Sequence, residues 1–247
     1  MKILIPMVEN EVKNKAADTA YCISLYEINR KTVLQHIVEP LKKIKNAEFV
    51  FILNKRNVEK YHLDSVIRLL LPNADIVIAQ GQTKGSACSC LLGMDHFKPD
   101  EPLIIVGGDQ LVTADLQSAI DSFVQNDYDG GVIIFNDIHP RWSYVRLNNE
   151  GLVAEAAEKR PISSNATTGF YYFKHTSDFV ESAFSMIKKD AGVDGNFFVC
   201  PVYNEMILNQ KRIGIYRIEK EQYFNFSHIK GIELYEEYCR KAKNENK

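Results

Sequence analysis

Leu103-Ile104-Ile105-Val106-Gly107-Gly108-Asp109-Gln110 is a run of four apolar residues stopped by two glycines and followed by a carboxylate. An unbroken apolar run rich in β-branched residues predicts a strand buried on both faces, the kind found in parallel sheets. The glycines predict a turn in which backbone can approach a ligand closely. Upstream, similar runs at residues 3–7, 49–53 and 76–79 are separated by segments of helical period at 32–45, 58–71 and 84–97. Strands alternating with amphipathic helices predict a mainly parallel sheet covered by helices on both faces. The first hundred residues therefore read as a Rossmann-like half.

Downstream the texture changes. Strands are expected at 131–135, 143–147, 152–155 and 168–173, helices at 177–189 and 202–209, and a further strand at 213–218. Asn148-Asn149-Glu150-Gly151 between two alternating segments predicts a hairpin turn, because Asn and Gly tolerate positive φ. This half reads as mixed rather than parallel. Nothing in the composition marks a linker, so residues 1–247 are expected to form one domain, with 219–247 as a C-terminal helical extension around a helix at 231–243.

With 45% hydrophobic and 25% charged residues and a formal charge of −2, the chain lacks the electrostatic footprint of a nucleic-acid binder. No apolar run approaches the roughly 20 residues of a membrane span. Residues 1–6 are too short for a signal-peptide core, and a cytoplasmic location is expected. Cys22, Cys88, Cys90, Cys200 and Cys239 have no zinc-ligand spacing and read as small hydrophobes. The histidines form no ligand set, and no nucleophile-elbow sequence is present.

In open α/β sheets ligands bind beyond the carboxyl ends of the strands, which directs attention to three segments. Gly107-Gly108-Asp109-Gln110 offers a carboxylate to a hard cation that neutralises phosphate oxygens; the plain alternative makes Asp109 a cap for a helix near residues 113–115. Gln80-Gly81-Gln82-Thr83-Lys84-Gly85-Ser86-Ala87 is a small-residue stretch opening a helix, where backbone N–H groups would receive a base edge or a phosphate. It does not fit the P-loop spacing, and close helix-on-sheet packing explains its small residues nearly as well. Glu158-Lys159-Arg160-Pro161 leads into Ala166-Thr167-Thr168-Gly169-Phe170, placing a carboxylate suited to sugar hydroxyls beside cations suited to phosphate. By charge pattern alone it would read as a solvated turn. His139, Trp142 and Tyr144 suit either a sugar platform or core packing.

Taken in order with Met1-Lys2-Ile3-Leu4-Ile5-Pro6-Met7, His139-Pro140-Arg141-Trp142-Ser143-Tyr144-Val145 and Phe198-Val199-Cys200-Pro201-Val202-Tyr203-Asn204-Glu205, these segments resemble the sugar nucleotidyltransferases of the GT-A type. Within them the likeness is to the capsule and lipopolysaccharide-locus branch, over about residues 1–218. The resemblance implies a Rossmann-like GT-A fold with a mixed, mainly parallel central sheet flanked by helices on both faces. It implies Mg²⁺ or Mn²⁺ bound by Asp109, with Asp109 and Lys159 catalytic. It places Gln82, Thr83, Gly85 and Ser86 by the nucleotide, Gly108 and Gln110 beside the metal acid, and Glu158, Thr168 and Gly169 around the sugar and its phosphate. Asn204 is the candidate substitute for a second metal acid, near Pro201.

The chain departs from that family after the first strand. A Gly-rich loop of the form G-x-G-x-R and a later Lys-Pro are replaced by Val8-Glu9-Asn10-Glu11-Val12-Lys13 and Ile23-Ser24. Loop amides and the arginine cradle a triphosphate through oriented dipoles and charge, whereas Glu9 and Glu11 would repel one; Lys13 and Lys15 would restore some charge. Three readings stay open: a nucleotidyltransferase of surface-polysaccharide biosynthesis that joins a sugar phosphate or related metabolite to a nucleotide, a metal-dependent glycosyltransferase that uses an NDP-sugar, and a catalytically degenerate nucleotide-sugar-binding or regulatory protein. The partners implied are a nucleotide or nucleotide-sugar and a phosphorylated small molecule, without nucleic acid, and a homodimer is compatible with the reading.

Overall fold

The computed structural model describes residues 1–8, 11–13 and 20–245. In chain order the elements are β1 (Lys2–Met7), the hairpin β2 (Glu11–Lys13) and β3 (Ala20–Cys22), the hairpin β4 (Glu27–Ile28) and β5 (Lys31–Thr32), α1 (Val33–Leu41), β6 (Glu48–Asn54), α2 (Lys55–Tyr61), α3 (Leu63–Leu70), β7 (Asp75–Ala79), α4 (Ser86–Leu91), β8 (Leu103–Val106), β9 (Gln110–Val112) and α5 (Leu116–Gln125). Then come β10 (Gly130–Asn136), β11 (Ser143–Leu147), β12 (Val153–Glu158), β13 (Asn165–Phe173), α6 (Thr176–Lys188), α7 (Val202–Leu208), β14 (Ile213–Arg217), β15 (Tyr223–Asn225) and α8 (Ile229–Glu245).

Among the described residues nine strands form one mixed sheet. Its main path runs β12-β11-β13-β8-β1-β6-β7, with β10 between β13 and β14. The expected α/β architecture, helices on both faces of a mainly parallel sheet, is the one observed. β1 lies parallel between β6 and β8, with Lys2 opposite Glu48 on one side and Leu103 on the other. Because side chains alternate across a strand, Ile3, Ile5 and Met7 join the core under α1, α3, α5 and α8. Leu4 joins the core under α4, α6 and α7. Each fully buried Leu, Ile or Phe on these faces contributes about 1.5–3 kcal/mol of transfer free energy.

Local sequence explains several boundaries. Thr32 and Gln35 form a reciprocal capping box that starts α1, Thr32 Oγ1 accepting from Gln35 N at 3.2 Å and Gln35 Oε1 from Thr32 N at 2.7 Å. The helix expected over 58–71 is two, because His62 adopts a left-handed backbone, φ 50°, between α2 and α3, a conformation His tolerates better than most residues. The expected helix at 84–97 ends its α-helical part at Leu91 and continues as one 3-10 turn over Met94–His96. β9 was not expected, and the helix placed near residues 113–115 is α5, which begins at Leu116. Asp115, not Asp109, caps α5, accepting from Gln117 N at 3.0 Å and Ser118 N at 3.3 Å.

The segment after residue 219 is only partly helical. β15 pairs antiparallel with β9, Asn225 opposite Gln110, and Phe226 N donates to Asp109 O at 2.7 Å. α8 then returns to α1, where buried Tyr235 Oη lies 3.0 Å from His36 Nδ1 while His36 Nε2 donates to Ile28 O at 2.9 Å. All five cysteines are free, and Cys22, Cys90 and Cys200 are buried. Among the described residues no helix is long and apolar enough to cross a membrane.

Candidate active site

The parallel strands β1, β6, β7 and β8 end on one edge of the sheet, at Met7, Asn54, Ala79 and Val106. A cleft of about 260 Å³ opens there, and its lining includes Gly108, Asp109, Gln110, Ser86, Glu158 and Gly169. Segments about sixty residues apart in sequence, Asp109 and Gly169, thus meet through the antiparallel pairing of β13 with β8.

β13 is the element that assembles this wall. Its C-terminal part pairs with β8, Phe170 opposite Val106, while Ala166 pairs with Tyr144 of β11. On its other edge the register with β10 shifts between Val132/Tyr171 and Ile134/Thr167. Such a bulge frees backbone groups and bends the strand. Thr168 Oγ1, buried, donates to Ile133 O at 3.2 Å and satisfies the carbonyl opposite the bulge. Gly169 takes φ +78° there, and a Cβ at that position would run into Gln110 Oε1. The glycine therefore makes room for Gln110, whose Oε1 is buried with no hydrogen-bond partner. It is a desolvated acceptor on the cleft wall.

Glu158 ends β12 opposite Ser143 of β11, and Ser143 Oγ donates to Glu158 Oε2. Burial pushes the Glu158 carboxyl above its ordinary value, against the Ser143 hydrogen bond and the nearby Lys159 charge. Lys159 itself is exposed, holds φ +52°, and sets Nζ 5.0 Å from the centre of the Phe198 ring, a cation–π contact. Phe198, Val199 and Cys200 form the far lining of the cleft. Burial also raises the Cys200 thiol and the Tyr171 phenol, so both stay neutral at physiological pH and Cys200 offers no thiolate.

The remaining sites of interest are placed elsewhere. Gln82 and Thr83 line a second, wider cavity of about 710 Å³ with Asn54, Lys55, Arg56 and Asn196; Val8 borders both cavities. Gly85, φ +94°, starts α4, and any Cβ there would meet Phe197 O. One of the amides expected to be free after it is engaged: Ala87 N donates to Phe197 O at 3.0 Å. Ser86 Oγ accepts from Val199 N at 3.3 Å. Asn204 lies outside the cleft lining, its amide clamped to the Ala156 backbone in both directions at 2.8 Å. Trp142 and Tyr144 are buried, 7% and 0% exposed, and Trp142 packs against Phe135 and Tyr223; the core-packing reading holds for them. Glu9 and Lys15 lie outside the described residues.

Ser89, Ser143, Phe198 and Cys200 were not singled out as site residues, although three of them sit in the quoted motifs. Lys55 and Arg56 were missed although they follow a strand end, the same signal that pointed to Asp109. Among the described residues no group of three or more His, Cys, Asp or Glu could hold a metal ion alone. A single carboxylate such as Asp109 would still suit a Mg²⁺ ion carried in on a phosphorylated ligand, since such ions commonly keep one or two protein carboxylates.

The sequence profile of the family described as nucleotidyl transferase matches residues 24–194, well over half of the chain. This chain belongs to the nucleotidyl transferase family. Among curated proteins none matches it in sequence. Solved structures resemble it closely in fold. A nucleoside-diphosphate-sugar pyrophosphorylase from Vibrio cholerae superposes with a TM-score of 0.79 at 20% identity, over 94% of this chain and 98% of its own. A UDP-glucose pyrophosphorylase, solved with UDP-glucose, gives 0.74 at 17% identity over 97% and 98%. An inositol-1-phosphate CTP transferase from T. maritima gives 0.70 at 14% identity over 94% of both chains. At these identities the likeness establishes the fold of this nucleotidyl transferase family member.

Proposed function

We propose that this protein is a sugar nucleotidyltransferase, joining a sugar phosphate or a related phosphorylated metabolite to a nucleotide. The observation that carries the reading is the convergence of Asp109, Gln110, Glu158 and Gly169 in one cleft at the carboxyl edge of the sheet, beside a wider cavity bordered by Gln82, Thr83, Lys55 and Arg56. The compounds on which the fold relatives act, a nucleoside diphosphate sugar and an inositol phosphate with CTP, belong to the same chemical class.

In this reading a phosphate oxygen of the acceptor attacks the α-phosphorus of the NTP, the bond to the β-phosphate breaks, and pyrophosphate leaves. Asp109 would hold Mg²⁺ or Mn²⁺, which supplies positive charge to the phosphate oxygens. Glu158 accepts hydrogen bonds from hydroxyls of the acceptor, and Gln110 shapes the wall beside it. Lys159, at the mouth over Phe198, neutralises its phosphate. Thr168 and Gly169 act through shape, by keeping the bulge that admits Gln110. Gly108 turns the backbone into the cleft, and Gly85 and Ser86 brace the loop carrying Gln82 and Thr83 toward the base. We assign Asn204 a bracing role on β12 rather than a place at the metal. A role in surface-polysaccharide synthesis fits this chemistry.

The replacement of the Gly-rich loop by Val8-Glu9-Asn10-Glu11 favours a second reading, a glycosyltransferase that binds a finished NDP-sugar and needs no triphosphate cradle. Pyrophosphate release, screened for sugar phosphates against CTP, UTP, GTP and dTTP with Mg²⁺, decides between them. Release with one pair supports nucleotidyl transfer. Silence throughout, combined with thermal stabilisation by an NDP-sugar but by no NTP, overturns it in favour of glycosyl transfer.

A further inference from the structure

Among the described residues the large sheet has three outer strands, β12, β14 and β7. An outer strand turns a row of backbone N–H and C=O groups away from the sheet, and another strand can pair there unless something blocks it. Two of the three are blocked. Asn204 gives β12 the hydrogen bonds a neighbouring strand would give, accepting from Ala156 N and donating to Ala156 O, both at 2.8 Å. Glu155 of the same strand holds Arg146 and Arg160 at 3.0 Å, which keeps that edge charged. β14 follows Lys211 and Arg212 and ends in Arg217, and cations on an edge discourage pairing.

β7 has neither device. Asp75-Ile76-Val77-Ile78-Ala79 contains no lysine, arginine or proline, and among the described residues only β6 pairs with it. Gln80 Nε2 reaches Ile78 O at 3.4 Å, too long for a strong bond. Ile78 is 38% exposed, with Ile76 and Val77 half-buried. Apolar exposure continues in the segments around the strand. α3, which leads into β7, exposes Leu69 at 84%; the 3-10 turn Met94–His96, whose His96 Nδ1 lies 3.4 Å from Asp75 Oδ2, exposes Met94 at 44%.

The strand is complementary to itself. If two copies pair antiparallel with Val77 on the two-fold axis, Ile76 stands opposite Ile78 of the other copy and Asp75 opposite Ala79. β-branched side chains then pair across the strands, and no like charges meet. Moving the axis to Ile76 sets Ile78 against Ala74, and moving it to Ile78 sets Ile76 against Gln80. The Val77 axis is therefore the register that pairs both isoleucines with each other. Such a two-fold contact is closed, so it leaves neither β7 edge open to a third chain.

We propose that β7 is the interface of a homodimer, in which two copies pair antiparallel about Val77 and join their sheets. The pairing lays the partner's Asn73 beside Gly81, at the border of the wider cavity that Gln80, Gly81 and Gln82 line, so each copy extends the cavity wall of the other. The inference does not rest on the reaction assigned to the cleft.

Sedimentation equilibrium of the intact chain should show a monomer–dimer equilibrium. Ile78→Lys, at an exposed position, should weaken it at least about tenfold, a loss of roughly 1.4 kcal/mol, with an unchanged circular dichroism spectrum, whereas Ile78→Val should preserve it. Disulfide trapping reads the register. An axis on Val77 brings its two copies to about 4.5–5.5 Å at Cα, within disulfide reach. Val77→Cys should therefore cross-link to itself under mild oxidation, and Asn73→Cys mixed with Gly81→Cys should cross-link where neither does alone, against a parent chain that forms no such species. Should Ile78→Lys fail to fold, the trapping decides. A chain that stays monomeric at every concentration reached, assembly that grows past the dimer, a dimer that folded Ile78→Lys leaves intact, or a dimer that Val77→Cys fails to trap overturns the proposal.

Discussion

The two sides of the crevice at the carboxyl edge of the sheet are built on opposite plans. On the side of β8 and β13, groups are held by backbone register and buried partners: Gly169 is shaped around Gln110, Thr168 around the bulge, Glu158 against Ser143. On the side of α2 and residues 80–83 the cavity is wide, Gly81 has open space where a Cβ would stand, and Lys55 and Arg56 come from the first turn of a helix. Rigid positioning suits the reacting phosphate and the acceptor, where small misplacement costs rate. Under the proposed reaction the open side would take the nucleotide, held largely by charge and base contacts. Substitutions should therefore separate into those that disturb geometry and those that disturb only binding.

The largest effect is expected at Asp109. Asp109→Ala should lower pyrophosphate release at least about a hundredfold, the scale for removing a charge partner of the transition state; a rate within a few-fold of the parent would refute the assignment. Gly169→Ala comes next, through the fold. A non-glycine residue at φ +78° costs of order 1–3 kcal/mol, and the collision with Gln110 adds to it. Urea denaturation should show a loss of roughly 2–4 kcal/mol. Combining it with Gln110→Ala should recover the steric part, and strictly additive losses would show that the two side chains are not packed as described.

Glu158→Gln tests whether the rigid wall serves stability or binding. Burial raises the folded-state pKa of Glu158, so its contribution to stability is present below the unfolded-state pKa and is lost as pH rises through the folded value. At neutral pH the variant should be at least as stable as the parent. It should nevertheless bind a sugar phosphate roughly tenfold more weakly, because a charged acceptor is lost, and parent affinity should fall on acidification above the ordinary carboxylate range. A variant less stable at neutral pH but unchanged in affinity would make Glu158 a structural group. The smallest effect is expected on the open side, where Gly81→Ala should change stability by no more than about 0.5 kcal/mol. A larger loss would mean that this side is as tightly built as the other.

Legibility in the sequence followed the same division. The apolar runs at residues 3–7, 49–53, 76–79 and 103–106 located the parallel strands to within a residue at each end, since a buried strand has little choice of composition. Gly107-Gly108-Asp109-Gln110 was legible as a strand-end turn for the same reason. His62 hid the break between α2 and α3, because a single left-handed residue leaves the helical period on either side intact. β9 and β15 are three residues each, too short for alternation to register.

By itself the sequence determined the α/β class, the order of the principal strands and the position of Asp109 after one of them. It did so because burial on two faces and glycine turns leave local signatures. Only the tertiary structure decided which of the marked residues meet. Gln110, Gly169, Ser143 and Glu158 come together through a register shift in β13 and the pairing of β11 with β12. Asn204 is withdrawn to the Ala156 backbone, and Lys55 and Arg56 are brought beside Gln82 and Thr83. Register, bulges and the choice of hydrogen-bond partner are properties of pairs distant in sequence, so no window of the chain contains them.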